Sequence, residues 1–181
     1  MVVFVDYQCF SFGKRLFFIK ELAILNDQIP IIYDFLFEPP QNTKQVAQIH
    51  QKHFDWLSRQ LLGFKWTDGD TPHENLSDIL TKITTSEERI YVKGLQKKKI
   101  LGKLLPTKLI INIEDLHCPS LRELQRRYEN EACGKHLYDD ASCSLRNVRN
   151  LVAWYNEHGA NTKMLDEHDE VEKLPFCCFC L

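Results

Sequence analysis

Cys133, His136 and Cys143 are the residues best suited to chemistry in this chain, a Cys-x2-His-x6-Cys arrangement set directly ahead of an amphipathic run that reaches Trp154. Two sulfur donors and an imidazole are what zinc prefers, and a four-coordinate structural site then needs one further donor. That donor must come from a distance. The short Cys-x2-His step lets two ligands converge from one turn, and the longer gap lets the chain fold back before Cys143 opens the helix. The competing reading buries both cysteines as small apolar groups and leaves His136 at the surface.

Basic residues form the second set. Lys93, Lys97, Lys98, Lys99 and Lys103 cluster after a strand, and Arg122, Arg126, Arg127, Arg146 and Arg149 fall on two nearby helical patterns. They could track phosphates while Tyr91, Trp66 or Tyr128 stack on bases. Each group also reads as an ordinary solvated helix face. His50, His53, Lys93 and Tyr91 have the side-chain types for acid–base work, but no spacing brings them together. The aromatic pair Phe64 and Trp66 would anchor a protein partner if exposed, although burial is its commoner fate.

The positioning elements can be read from periodicity. Val2–Val5 is a continuous apolar run suited to a strand buried on both faces. Residues 15–25 form a second strand interrupted by Lys20 and Glu21, and Ile31–Phe37 a third, halted at Pro39 and Pro40. Short links make these three an antiparallel meander. From Thr43 to Leu62 the period becomes helical, with Val46, Ile49, His53, Trp56, Leu57 and Leu61 at helix-like intervals and Gly63 as the stop. A short helix over Asn75–Ile83, a strand from Arg89 to Gly94, a helix over Lys97–Leu105, a strand over Lys108–Ile113 and a helix over Ser120–Tyr128 follow. This alternation predicts parallel crossovers, hence an α/β fold with a mixed five-stranded sheet flanked by helices.

At 181 residues the chain suits one domain with a sizeable core. No apolar run reaches the roughly 18 residues of a membrane span, and no basic region precedes the first apolar stretch as in a signal peptide. Seven cysteines, an odd number, lack the spacing of a disulfide framework, so reduced thiols in the cytoplasm or nucleus are expected. The net charge of −2 is carried by the segment after Ala160, whose five acids face Lys163 and Lys173, which leaves the first 160 residues at +1. Such a body is no overall electrostatic funnel for nucleic acid, though it permits a local basic face. The expected division is a domain over 1–160 and an acidic, Cys-rich mobile tail over 161–181. The last four residues, Cys178–Leu181, formally fit a prenylation box, but its middle residues are not both aliphatic and no polybasic run precedes it.

Three meander strands, then helix, strand, helix, strand and a final long helix resemble the RNase H-like fold of DEDD-type 3′–5′ exonucleases. That resemblance implies carboxylates holding two metal ions that clamp the attacking and leaving oxygens of a phosphodiester. Here Asp6-x-Gln8 stands where Asp-x-Glu is expected, Ser142 and Asn147 stand at the base and the last carboxylate, and no Asp lies near Lys93–Lys99. Two-metal catalysis is therefore not expected. The chain is more similar to the Maelstrom domain, an exonuclease-like fold with a Glu-Cys-His-Cys zinc set, matched here by Glu21, Cys133, His136 and Cys143. Spacing alone leaves His117 and Cys118 as equal candidates for the fourth place. The resemblance implies a relative without the HMG box, with structural zinc, binding single-stranded RNA in a small-RNA or mobile-element silencing context. A metal-independent single-strand endoribonuclease and a protein-interaction scaffold among silencing partners are its alternatives.

Overall fold

The computed structural model describes residues 2–12, 16–27, 31–40, 43, 48–85, 89–138 and 142–168. Strands β1 (Val2–Phe12), β2 (Leu16–Asn26) and β3 (Ile32–Leu36) lead to helix α1 (Gln51–Leu57), which runs into a π-helical turn over Ser58–Leu62. A 3-10 turn (His73–Asn75) precedes α2 (Leu76–Ile83), and β4 (Arg89–Val92), α3 (Leu95–Leu104) and β5 (Leu109–Asn112) follow. A second 3-10 turn (Ile113–Leu116) leads to α4 (Leu121–Tyr128), and α5 spans Ser144–His168.

The sheet order is β3-β2-β1-β4-β5. β1, β2 and β3 pair antiparallel, while β1–β4 and β4–β5 pair parallel, so the sheet is mixed as the alternation of periods predicts. Strand alternation sorts β1 between two apolar layers. Val2 and Phe4 pack with Val148, Leu151 and Trp154 of α5 and Leu124 of α4. Val3, Val5 and Tyr7 pack on the other face with Leu76 and Leu80 of α2 and Leu101 of α3. Phe4, fully buried, stacks on Tyr91 at 5.4 Å and meets the edge of Tyr155 at 5.2 Å. A third cluster at the far end of β1 joins Phe10 to Phe54, Leu57, Leu62, Phe64 and Trp66.

Local signals place the ends. Gly63 adopts φ 69° and terminates the π turn, a left-handed position that costs glycine little. Ser120 caps α4: its Oγ accepts from the Glu123 N–H, and the Glu123 carboxylate accepts from the Ser120 N–H at 2.9 Å.

One expectation needs correction. Of the helical apolar pattern, Leu57 is buried as expected, but Ile49, His53, Trp56 and Leu61 are exposed, and Phe54 and Leu62 complete the buried face. α5 runs to His168, past residue 160. Residues 169–181 of the expected 161–181 tail, its prenylation box, and Val46 lie outside the described residues.

Candidate metal centre

Glu21 reaches the centre through an irregularity in the β1–β2 ladder. Gln8 pairs with Glu21 but Cys9 pairs with Ile19, which leaves Lys20 unopposed. Such a bulge re-aims the neighbouring side chains. The Lys20 side chain, fully buried, donates to the carbonyls of Phe37 and of Asp68, the latter at 2.5 Å, and lies 5.5 Å from the Trp66 ring centroid. Burial pushes its ammonium down to about 8, against opposing help from Asp68 and Glu38. Glu21, also fully buried, shares the face of Ala23, the one that α5 covers.

The other three side chains arrive from the segment between α4 and α5 and from the residue that opens α5. Gly134, at φ 77°, turns the chain between Cys133 and His136 so that both point inward. Within the described residues, Glu21, Cys133, His136 and Cys143 form one group whose ligand atoms all lie within 4.8 Å of one another. Cys133 Sγ is 3.7 Å and His136 Nε2 3.1 Å from Glu21 Oε1. A tetrahedral ion with bonds of about 2.0–2.3 Å separates its donors by about 3.3–3.8 Å, so the two Glu21 separations lie close to that range and a pair at the 4.8 Å limit must draw in by about 1 Å to close on an ion. His117 is exposed and Cys118 belongs to the α5-side core, so neither of these fourth-donor candidates joins the group.

Surrounding contacts orient the donors. His136 Nδ1 lies 2.5 Å from the Leu62 carbonyl, which can only accept, so Nδ1 carries the hydrogen and Nε2 is left for the ion. Cys143 Sγ accepts from the backbone N–H groups of Cys133 and Arg146, both at 3.4 Å, at the positive end of α5. Glu21 Oε2 accepts from the Ser144 N–H at 3.0 Å.

Without an ion the four groups share protons unevenly. Hydrogen bonding from Cys133, then from His136 and the two backbone amides, drives the Cys143 thiol far below its ordinary range despite burial. Cys133, donating to Cys143 and desolvated, is pushed up. Burial opposes charge on His136, but its bonds to Cys143 and Glu21 outweigh that and raise it to about 10. Burial raises Glu21, and its bond to His136 offsets this only in part. The negative charge therefore gathers on Cys143 and the positive charge on His136. Two thiol sulfurs, an imidazole and a carboxylate are together a donor set for a borderline-soft divalent ion.

Asp6 lies on the same sheet face and has a different fate. Its carboxylate is fully buried, ion-paired to Lys97, and accepts from Asn147 Nδ2 at 2.8 Å and from Gln8 Nε2 at 3.4 Å. Lys97 also lies 5.3 Å from the Tyr7 ring centroid. A fixed ammonium and two amides thus occupy the carboxylate's hydrogen-bonding positions. Beside this network a cleft of 200 Å³ is walled by Leu57, Leu61, Gln96, Ile100 and Ser142.

The basic residues do not make one surface. Lys93 is buried, donating to the Cys118 carbonyl at 3.1 Å and pairing with Glu114 at 3.3 Å, and Arg146 is 6% exposed. Neither can track phosphates from there. Lys98 lies 3.9 Å from Asp115, Arg127 pairs with Glu157 at 2.6 Å, and Arg149 donates to the Glu131 carbonyl at 3.3 Å. Lys99, Lys103, Arg122 and Arg126 are exposed. Of the stacking candidates, Tyr91 and Trp66 are core residues, and Phe64 is buried with Trp66, which removes that pair as a contact surface.

Sequence reading missed the role of Lys97 as counter-ion to Asp6. The available signal was the aspartate itself: a carboxylate directly after an apolar run buried on both faces requires a cation or donors nearby. Among the described residues no helix is long and apolar enough to cross a membrane. No family model and no curated protein matches the chain.

Proposed function

We propose that this chain is a zinc-pinned RNase H-like domain related to the Maelstrom domain, which binds single-stranded RNA and does not cut it by two-metal chemistry. The convergence of Glu21, Cys133, His136 and Cys143 on one point carries the reading. Zinc suits two thiolates, an imidazole and a carboxylate, and a site with four protein ligands leaves no open position for an activated water. The ion would supply folding free energy by tying β2, the Cys133–His136 turn and the start of α5 together.

The RNase H-like assignment is supported by the sheet order with β2 antiparallel to its neighbours and by α5 lying across β1 and β2. The loss of two-metal chemistry is supported by the Asp6 network, where Lys97 and Asn147 hold the carboxylate oxygens that an ion would need. The choice of RNA, a silencing context in the cytoplasm or nucleus, and silencing-pathway partners rest on the resemblance in the sequence.

Labelled single-stranded RNA, single-stranded DNA and duplexes, run on gels against the purified protein with and without chelator, test the reading. The expected result is a shifted, intact single-stranded RNA band, with metal analysis giving one zinc per chain. Absence of any shift refutes the binding function. Shortened RNA that persists in protein purified by a second route, and in an Asp6→Ala variant, replaces it with a metal-independent endoribonuclease.

A further inference from the structure

Neither the metal centre nor the Asp6 network uses the outer side of α1. Lys52 and Trp56 lie one turn apart at i and i+4 on α1, and Arg59 follows three residues later in the π-helical turn that extends it. All three are exposed, Trp56 by 53%. His53 lies nearly parallel to the Trp56 ring, 10° apart with centroids at 6.4 Å, so the two rings form a stacked pair at the surface.

The helix is firmly seated on its opposite side. Phe54 meets Phe10 at 4.9 Å and Trp66 at 4.8 Å, and Leu57 is buried beside them. Trp56 is therefore exposed on an anchored element, where a large ring gains little from the protein's own core. The acid of this helix is engaged elsewhere: Asp55 accepts from Gln51 Nε2 at 2.8 Å. A stacking platform with a cation one turn away on either side is what a nucleic-acid strand with splayed bases recognises, since every base has a π face and every linkage a negative charge.

We propose that the Lys52–Trp56–Arg59 stripe, with His53, is the contact surface for single-stranded RNA. One base stacks on Trp56, and Lys52 and Arg59 each meet a backbone phosphate. This rests on the RNA-binding reading above and gives it a location. The stripe borders the cleft beside Asp6 through Leu57 and Leu61 on the same helical segment.

The test uses the full chain and a fluorescein-labelled dodecamer of uridine, with anisotropy read across a salt series. Trp56→Ala should weaken binding by about 5- to 150-fold, the range of base–aromatic stacking, with Trp56→Phe recovering most of it. Lys52→Ala with Arg59→Ala should lower the slope of log K against log salt by about 1.4, since single-strand contacts contribute about 0.7 each. The other two tryptophans, Trp66 and Trp154, are 7% and 4% exposed, so quenching by the oligonucleotide should vanish in Trp56→Phe. Wild-type affinity in Trp56→Ala, with an unchanged melting temperature, overturns the location and leaves the RNA-binding reading standing. Failure of the wild type itself to bind refutes that reading first.

Discussion

Removing the ion should loosen one part of this domain without unfolding the rest. The segment from Glu131 to Tyr138 has little apolar anchoring, with Leu137 73% exposed, and it is held by a few polar contacts. Leu137 N–H donates to the Gly63 carbonyl at 2.7 Å, Lys135 pairs with Asp34 at 2.9 Å, and His136 meets Leu62. Ala132 and Cys133 only border the α5-side cluster, and the bulk of all three apolar clusters is built from other residues and should persist. An ion present at about a thousand times its dissociation constant stabilises the folded state by about 4 kcal/mol. At about 2.1 cal/mol/K per residue, the 181-residue chain has an unfolding entropy of about 0.38 kcal/mol/K. Chelation should therefore lower the melting temperature by about 11 °C, and equimolar zinc should restore it. Scanning fluorimetry reads the shift, and hydrogen exchange should localise the lost protection to residues 131–138 and the first turn of α5. Cys143→Ser should reproduce the chelated state, whereas Cys118→Ser, a buried thiol outside the group, should leave metal content unchanged. A melt insensitive to chelator, in protein that analysis finds free of metal after expression in zinc-supplemented medium, refutes the centre.

Three further outcomes follow from named contacts. At pH 8.5 the metal-free site keeps protons on both Cys133 and His136, so calorimetry in buffers of different ionisation enthalpy should find two protons released on zinc binding. Ordinary thiols near 8.5 and an ordinary histidine would release about one. Lys97→Met leaves the buried Asp6 carboxylate with amide donors alone and should cost about 3–5 kcal/mol in urea unfolding, much of it recovered by adding Asp6→Asn. Lys20 has its pKa lowered from 10.5 to about 8, so between those values the unfolded chain binds the extra proton and stability rises with pH. The difference between wild type and Lys20→Met should show that slope, and parallel curves over pH 8–10.5 would refute the burial of its charge.

Much of the frame was legible because it depends on local period. The apolar run at Val2–Val5, the serine ahead of Glu123 and the glycine after Leu62 each state their structure without reference to distant residues. The ligand trio was legible from type and spacing, but the fourth donor was not, because Glu21 is brought in by a slip in the β1–β2 ladder that no spacing encodes. Charge was the least legible property. Lys93 and Arg146 read as surface cations, yet the fold buries them, and whether a lysine faces water or the Cys118 carbonyl depends on the register of β4 and the approach of the 3-10 turn after β5. Trp56 was misplaced for the same reason, since helical spacing fixes relative sides of α1 but not which side meets Phe10, whereas Trp66 has the buried fate commoner for such residues.

Asp6 and Glu21 are buried carboxylates on neighbouring strands, both turned toward the start of α5. A buried carboxylate must be compensated, and each is compensated differently. Glu21 faces His136, a member of the candidate ligand group, and the Ser144 N–H at the start of α5. Asp6 faces Lys97, a cation fixed to α3 that cannot exchange with solvent ions. An ion bound at Asp6 would have to displace that ammonium and turn the Asn147 amide so that its oxygen faced the metal. Replacing Lys97 alone would expose the carboxylate but would not restore a two-metal site, because Gln8 and Asn147 supply neutral amides where Mg²⁺ needs carboxylate oxygens. A Lys97→Ala, Gln8→Glu, Asn147→Asp triple variant should bind Mg²⁺ or Mn²⁺ measurably by calorimetry, whereas Lys97→Ala alone should not. Comparable binding by the single variant would mean that Lys97, and not the loss of carboxylates, is what keeps cations out.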